Sequence, residues 1–181
     1  HFSLEHIVPE VIEMIKAYEK SGHCKIPVIA AGGLYTGEDI YRLMQLGATG
    51  VQLGSKFVTT EECDASPVFK QAYIDAGQSD IEIITSPVGM PGRAISGEFT
   101  RKVKSGSEKP RRCAFHCIKT CDYTKSPYCI IKALYNAAKG NMQKGYAFAG
   151  ANAFLSQKIV SVRETIDTLK KEFMQAKESV K

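Results

Sequence analysis

The feature that most constrains the fold is a pair of short apolar segments that each end in a glycine-bearing turn. The segment IPVIAA at 26–31 leads into Gly32 and Gly33, and TGVQLG at 49–54 leads into Ser55. Segments that are apolar throughout, rather than in alternation, are typical of strands buried on both faces of a parallel sheet. We therefore predict two buried parallel strands.

Amphipathic helices are predicted before, between and after these strands. Apolar residues recur at helical spacing over 8–20, which predicts a first helix. Thr36 and Asp39 resemble a capping box that begins a second helix, and the Ser-Pro pair at 66–67 has the composition of a third helix start. The order helix, strand, helix, strand, helix with short connections is typical of parallel βαβ units. The sequence thus predicts an α/β fold.

The pattern changes near residue 78, where we place a boundary between barrel-like units at 1–78 and a second region at 79–181. A short strand is predicted at 81–85. Glycine and proline then dominate 86–97, which predicts a loop rather than regular structure. The second region is otherwise expected to be mainly helical.

Two helix starts support that expectation for the second region. Ser126 and Pro127 have the composition of an N-cap followed by a first-turn proline. Ser161 and Glu164 have the spacing of a capping box in front of a last amphipathic helix. We predict that helices begin at both places.

The two glycine turns could together hold a phosphate group. Backbone N–H groups approach an anion most closely at glycine, and nearby helix N-termini add a favourable dipole. In (β/α)8 barrels the turns after the last two strands commonly form such a site. The candidate donors are Gly32, Gly33, Gly54 and Ser55. The alternative is that the glycines only permit tight turns between strands and helices.

The segment PVIAAGGLYTGEDIYRLMQLGATGVQLGSKF resembles the part of nitronate monooxygenases and type II enoyl-acyl-carrier-protein reductases that binds the phosphate of FMN. The resemblance implies that Gly33 contacts the flavin phosphate with Gly32 alongside, and that the turn Gln52, Leu53, Gly54 and Ser55 completes the site. Ser55 stands where this family usually has threonine, and the change keeps the hydroxyl. SPVGMPGRAI and GYAFAGANAF are also similar to later parts of the family.

The resemblance implies the C-terminal part of a (β/α)8 TIM barrel with an appended mainly helical region. It further implies an FMN-dependent oxidoreductase, most similar to a nitronate monooxygenase. An NAD(P)H-dependent enoyl reductase acting on an acyl thioester is the alternative. A third hypothesis, of another class, is a non-catalytic phosphate-binding half-barrel that assembles with a partner chain or a second copy, because a complete barrel needs about 250 residues.

His1 is the candidate catalytic residue. The resembled family carries an active-site histidine in a Gly-Gly-His turn, and His1 stands at the corresponding distance before the first predicted strand, although the two glycines are absent. An imidazole can give or take a proton near neutral pH, or polarise a substrate oxygen. The alternative is that His1 is an ordinary terminal residue.

A cluster of cysteines is the candidate metal site. Cys113, Cys117, Cys121 and Cys129 are separated by three, three and seven residues, so the first three would share one face of a helix. Four thiolates suit an Fe–S cluster or a structural zinc ion. The spacing matches neither common zinc pairs nor common ferredoxin runs. Plain buried thiols are therefore the open alternative.

The distribution of charge and the composition of the N-terminus indicate which partners and which location to expect. The net charge of +5 is spread over several segments, which disfavours a nucleic-acid or membrane-surface partner. The chain begins without the basic-then-apolar layout of a secretory signal, which favours a cytoplasmic location. Six basic residues at 101–112 could dock an acidic carrier protein or a phosphorylated substrate, or form a solvated loop. A small-molecule substrate is the expected partner.

Overall fold

The computed structural model describes residues 3–22, 24–119 and 121–179. This part of the chain contains seven α-helices: α1 Leu4–Lys20, α2 Gly37–Gln45, α3 Ser55–Val58, α4 Pro67–Asp75, α5 Glu98–Lys104, α6 Ile130–Ala138 and α7 Val162–Ser179. It also contains four short strands: β1 Ile29–Ala31, β2 Gly50–Gln52, β3 Ile81–Ile84 and β4 Gly92–Ile95.

Strands β1 and β2 are parallel neighbours joined by α2, which confirms the predicted βαβ unit. Ile29 lies opposite Gly50, and Ala31 lies opposite Gln52. The prediction of burial on both faces is wrong within these residues: Ala30 is 3% exposed, but Ile29 is 55% exposed. Only two strands of this sheet lie in the described chain, and the face that carries Ile29 is largely exposed.

Helices α1 and α2 cover the buried face of the two strands. Val8 of α1 and Leu43 of α2 pack with Ala30 and Ala48 in one apolar cluster. Helix α1 begins at Leu4, upstream of the predicted start at residue 8. Helix α2 begins with the predicted capping box, in which Thr36 and Asp39 bond reciprocally. The parallel pairing of β1 and β2 places the C-terminal ends of both strands on one side of the unit.

The predicted loop over 86–97 is partly wrong, because β4 lies within it. Strands β3 and β4 form an antiparallel hairpin in which Ile81 lies opposite Ile95. Gly92 suggested a turn, but its backbone packs so closely on the Phe148 ring that any Cβ would clash with it. The glycine is therefore a packing residue inside a strand, a role that local sequence does not distinguish from a turn.

The predicted start of α6 at Ser126 is also wrong. The helix begins at Ile130, directly after Cys129. Ser126 belongs instead to a turn, because its backbone N–H and its hydroxyl both donate to the carbonyl oxygen of Asp122. The serine therefore bonds backward along the chain rather than forward into a helix.

Helix α7 packs against α2 and so joins the two regions that the sequence separates at residue 78. Tyr41 and Phe173 meet edge to face with ring centroids 5.5 Å apart. As predicted, the Ser161 hydroxyl caps the helix by accepting from the backbone N–H of Glu164, at 3.1 Å. The Glu164 carboxylate instead pairs with Lys158 at 2.9 Å. The second region thus adds a helix to the outer layer of the first.

Among the described helices, none combines the length and apolar character that crossing a lipid bilayer would require.

Candidate functional site

An open cavity of about 220 Å³ lies where β1 and β2 end. All six residues predicted to bind a cofactor line it: Gly32, Gly33, Gln52, Leu53, Gly54 and Ser55. They come together because parallel neighbouring strands end at the same edge of the sheet. The structure thus brings the two glycine turns to one cavity, and ligand binding there stays a prediction.

The first turn requires glycine at both positions. Gly32 has a φ of +105° and Gly33 a φ of +70°, both in the left-handed region that side chains other than glycine rarely adopt. No atom lies within 4 Å of where a Cβ on Gly32 would stand, so space alone does not select glycine there. The positive φ angle of the backbone is what requires glycine at this position.

Both turns present backbone donors without an acceptor. Within 3–22, 24–119 and 121–179, the backbone N–H groups of Gly33, Gly54 and Ser55 make no hydrogen bond. Unpaired N–H groups gathered around a cavity favour an anion there. The arrangement therefore suits a phosphate group better than an apolar ligand.

The backbone N–H groups at the N-terminus of α2 are already bonded within the protein. The backbone N–H groups of Tyr35 and Thr36 donate to the Asp39 carboxylate at 2.9 and 3.0 Å. The N–H of Gly37 donates to the Glu172 carboxylate at 2.7 Å. Protein carboxylates therefore already occupy the donors at this helix end, which leaves the glycine turns as the anion-binding groups.

The Asp39 carboxylate stays ionised in this position. Burial by itself raises the pKa of Asp39, but hydrogen bonds from the Thr36 and Tyr35 backbones and the Thr36 hydroxyl, together with Arg42, bring the pKa below its ordinary value. A negative carboxylate at the N-terminus of α2 interacts favourably with the helix dipole. This cap fixes the start of α2 directly after the first turn.

A later segment of the chain also reaches the cavity, through three residues that sequence analysis did not single out: Gly150, Asn152 and Ala153. The backbone N–H of Gly150 donates to Ser55 Oγ at 2.7 Å. The Asn152 side chain donates to the Gly33 carbonyl oxygen at 2.6 Å. The run of small residues in YAFAGANAF was the available sign of close packing, but it does not indicate which residues it packs against.

A model of the nitronate monooxygenase family matches residues 1–172. The chain belongs to the nitronate monooxygenase family. A probable nitronate monooxygenase from Staphylococcus saprophyticus is 35% identical over 97 residues, which are 54% of this chain and 25% of that protein. The resemblance noted in the sequence is thereby confirmed.

Solved structures show the same fold. FabK from Thermotoga maritima superposes with a TM-score of 0.74 at 26% identity, covering 99% of this chain and 51% of FabK. A nitroalkane oxidase from Streptomyces ansochromogenes superposes with a TM-score of 0.71 at 21% identity, covering 99% of this chain and 46% of the oxidase. The chain thus spans about half the length of these relatives. Its fold is the C-terminal part of a (β/α)8 barrel followed by a mainly helical region.

The cysteine segment does not form the predicted helix. The chain at 113–119 is irregular, so Cys113 and Cys117 do not share a helical face. All four candidate cysteines nevertheless line one small cavity of about 20 Å³, and Tyr128 is also among its walls. In the described ranges, no three His, Cys, Asp or Glu side chains are grouped so that they could hold a metal ion. The structure therefore gives no support to the four-thiolate site, which stays a prediction.

His1 lies outside the described residues. Its predicted place at the active face of this nitronate monooxygenase family member stays a prediction.

Proposed function

We propose that this chain holds the phosphate of FMN between its two glycine turns, as part of an FMN-dependent oxidoreductase of the nitronate monooxygenase type. The observation that carries the proposal is the cavity itself. Six residues from two separate turns line it, and three of their backbone N–H groups have no acceptor within the described chain.

The groups around the cavity fit a flavin phosphate. A phosphate monoester offers several strong acceptor oxygens, and backbone N–H groups are its usual partners where the chain bends at glycine. The N–H groups of Gly33, Gly54 and Ser55 supply such donors, and the Ser55 hydroxyl adds one that is not part of the backbone. Gly54 has no atom within 4 Å of a Cβ position, so the phosphate has open access to this turn.

FMN, when bound, supplies the redox chemistry by accepting electrons from the substrate and passing them on. The described residues contribute binding and orientation. Holding the phosphate at the strand ends places the rest of the flavin at the C-terminal face, where barrel active sites form. His1 is the residue that we propose for proton transfer at that face.

An enoyl reductase is the second candidate function, supported by the similarity to FabK over nearly the whole chain. Such an enzyme would need NAD(P)H as electron donor and an acyl-thioester substrate, whereas a nitronate monooxygenase would take a small anionic nitronate and O₂. The phosphate site is the same in both, so the described residues do not separate the two reactions. The family match favours the nitronate reaction.

Three measurements on the protein at its full natural length test the proposal. The absorption spectrum and chromatography of the released cofactor should show FMN at about one equivalent. Oxygen consumption should start on addition of an alkyl nitronate. Anaerobic stopped-flow mixing with NADPH should leave the flavin oxidised on the time scale of turnover.

The results separate the candidate functions. Rapid bleaching by NADPH, with no nitronate-dependent oxygen uptake, would replace the first function with the enoyl reductase. A protein that binds phosphate but no flavin would favour the non-catalytic half-barrel completed by a partner chain.

A further inference from the structure

We infer that residues 150–152, which lie beyond the barrel units, are a third part of the phosphate site and that Asn152 is a positioning residue for FMN. This inference rests on the proposed function and extends it to a segment 95 residues downstream of the second turn. Two hydrogen bonds, one to each glycine turn, carry it.

The first bond restrains the turn at Gly33. Asn152 Nδ2 donates to the Gly33 carbonyl oxygen at 2.6 Å across 119 residues of sequence. The carbonyl of Gly33 and the N–H of Leu34 belong to one planar peptide unit and point in opposite directions. Fixing the carbonyl of that unit therefore restrains the ψ angle of Gly33, the residue whose own N–H is one of the unpaired donors. Glycine has unusual conformational freedom, so this turn needs an external restraint to keep its donors in one direction.

The second bond sets the direction of the Ser55 hydroxyl. The backbone N–H of Gly150 donates to Ser55 Oγ at 2.7 Å, so the serine oxygen acts as the acceptor. A hydroxyl has one hydrogen to donate. That hydrogen makes no bond elsewhere in the described residues, which leaves it free for an anion in the cavity. A Cβ on Gly150 would lie 3.1 Å from Ser55 Oγ, so glycine permits the close approach.

The segment is held firmly enough to act as a support. The backbone N–H of Ala149 donates to the Arg93 carbonyl oxygen at 2.9 Å, which ties the segment to β4. The Tyr73 hydroxyl donates to the Phe148 carbonyl oxygen. Ala153 is fully buried in a cluster that contains Tyr73 and Ala147. Both ends of 150–152 are thus anchored in the core.

The neutral side chain matters as well as its hydrogen bond. Asn152 lines the cavity with an amide, which can donate to a carbonyl without adding a negative charge beside a phosphate. An aspartate of nearly the same shape would lose the donor and repel the anion. The site therefore distinguishes asparagine from aspartate by charge more than by size.

The experiment compares FMN with riboflavin, which lacks the phosphate, on the protein at its full natural length. Dissociation constants are measured by flavin fluorescence quenching for wild type, Asn152→Ala and Asn152→Asp. Asn152→Ala should weaken FMN binding about tenfold, the equivalent of about 1.4 kcal/mol, while riboflavin binding changes less than about twofold. Asn152→Asp should weaken FMN binding further and again spare riboflavin.

Asn136→Ala is the matched control. Its side chain also donates to a backbone carbonyl, that of Lys144 at 3.1 Å, but it does not line the cavity. This variant should bind both flavins as wild type does. Circular dichroism and thermal melting of all variants monitor folding, and the nearly isosteric Asn152→Asp provides a second test if Asn152→Ala unfolds.

Two outcomes overturn the inference alone: wild-type FMN affinity in Asn152→Ala, or an equal loss of FMN and riboflavin affinity in both Asn152 variants. Absence of FMN binding in the wild type would instead overturn the proposed function, and the inference with it.

Discussion

Single residues control the cavity chiefly through backbone angles that only glycine adopts easily. Gly33 combines a φ of +70° with an unpaired N–H group and a carbonyl that accepts from Asn152. A residue with a Cβ in this conformation costs roughly 1–2 kcal/mol, and a β-branched one costs more. Substitution there should therefore shift the turn rather than merely crowd it.

We predict that Gly33→Val abolishes flavin retention. Valine would push the backbone out of the left-handed region and turn the N–H away from the phosphate. The measurement is the molar ratio of FMN to purified protein. Gly106→Val is the matched control, because Gly106 has a φ of +72°, open space around its Cβ position and no place in the cavity.

The control variant should lose similar stability but keep its flavin. A full flavin complement in Gly33→Val would show that the first turn does not hold the phosphate.

Sequence reasoning found the cavity residues that lie at strand ends but missed Gly150 and Asn152. The first set follows two apolar segments, so a local pattern marks it. Asn152 reaches Gly33 only because the chain folds back across 119 residues, and no local spacing records such a contact. The predicted helix start at Ser126 was wrong for a related reason. A Ser-Pro pair is compatible with either a helix start or a turn, and the hydrogen bond from Ser126 to Asp122 makes it a turn here.

The helices and strands also divide into those that local sequence predicts and those that depend on contacts between distant parts of the chain. The capping box of α2 and the paired strands β1 and β2 follow from local composition and were predicted. Strand β4 pairs with β3, and its Gly92 packs on the ring of Phe148, a contact that only the folded chain supplies. The packing of α7 on α2 is likewise a contact between elements far apart in sequence.

The junction of α2 and α7 gives a test of that packing. A Cβ at Gly37 would clash with the backbone of α7 at Leu169 and Phe173, which cannot move aside as a flexible side chain can. Gly37→Ala should therefore lower the free energy of unfolding by about 1–3 kcal/mol or more. Urea denaturation measures the change.

Gly97→Ala is the control for this junction. Gly97 has an extended backbone, and no atom lies within 4 Å of its Cβ position. The loss there should stay below about 1 kcal/mol, as expected for an N-cap position. Equal losses in both variants would mean that the two helices pack less tightly than the structure shows.

The cysteine segment gives the second test at this scale. The chain between α5 and α6 has no helix or strand in its described part, and four cysteines from it line one cavity. A metal could therefore draw the thiolates together without breaking a regular element. We keep the prediction that the segment binds an Fe–S cluster or zinc after anaerobic purification.

Iron and zinc analysis measures the metal directly. Cys117→Ser should lose it, whereas Cys63→Ser, outside the cavity, should not. Less than about a tenth of an equivalent in the wild type would leave the four residues as plain thiols, because a four-thiolate site binds metal tightly.

At the scale of the whole molecule, the chain carries one part of a barrel fold. Its two parallel strands are a fraction of the eight in a barrel, and the exposed Ile29 marks the face that further strands would cover. The βαβ unit could be predicted from the apolar pattern of the sequence itself. The barrel could be predicted only from the resemblance to a family. The apolar pattern of two strands does not define a barrel, because a barrel closes only when further strands pair with them.

This division gives the last prediction. The proposed phosphate donors lie within the 181 residues, whereas barrel active sites draw on the loops of several strands. The 181-residue chain alone should therefore bind FMN at least about a hundredfold more weakly than a version extended upstream to the length of its relatives, a difference of about 2.8 kcal/mol. Inorganic phosphate should bind both versions with affinities within about threefold, because its contacts are all present in the shorter chain. Isothermal titration with FMN and with phosphate separates the two contributions. Equal FMN affinity in both versions would mean that these 181 residues hold the whole flavin. A loss of phosphate binding in the shorter chain would mean that the two turns need the rest of the barrel to keep their geometry.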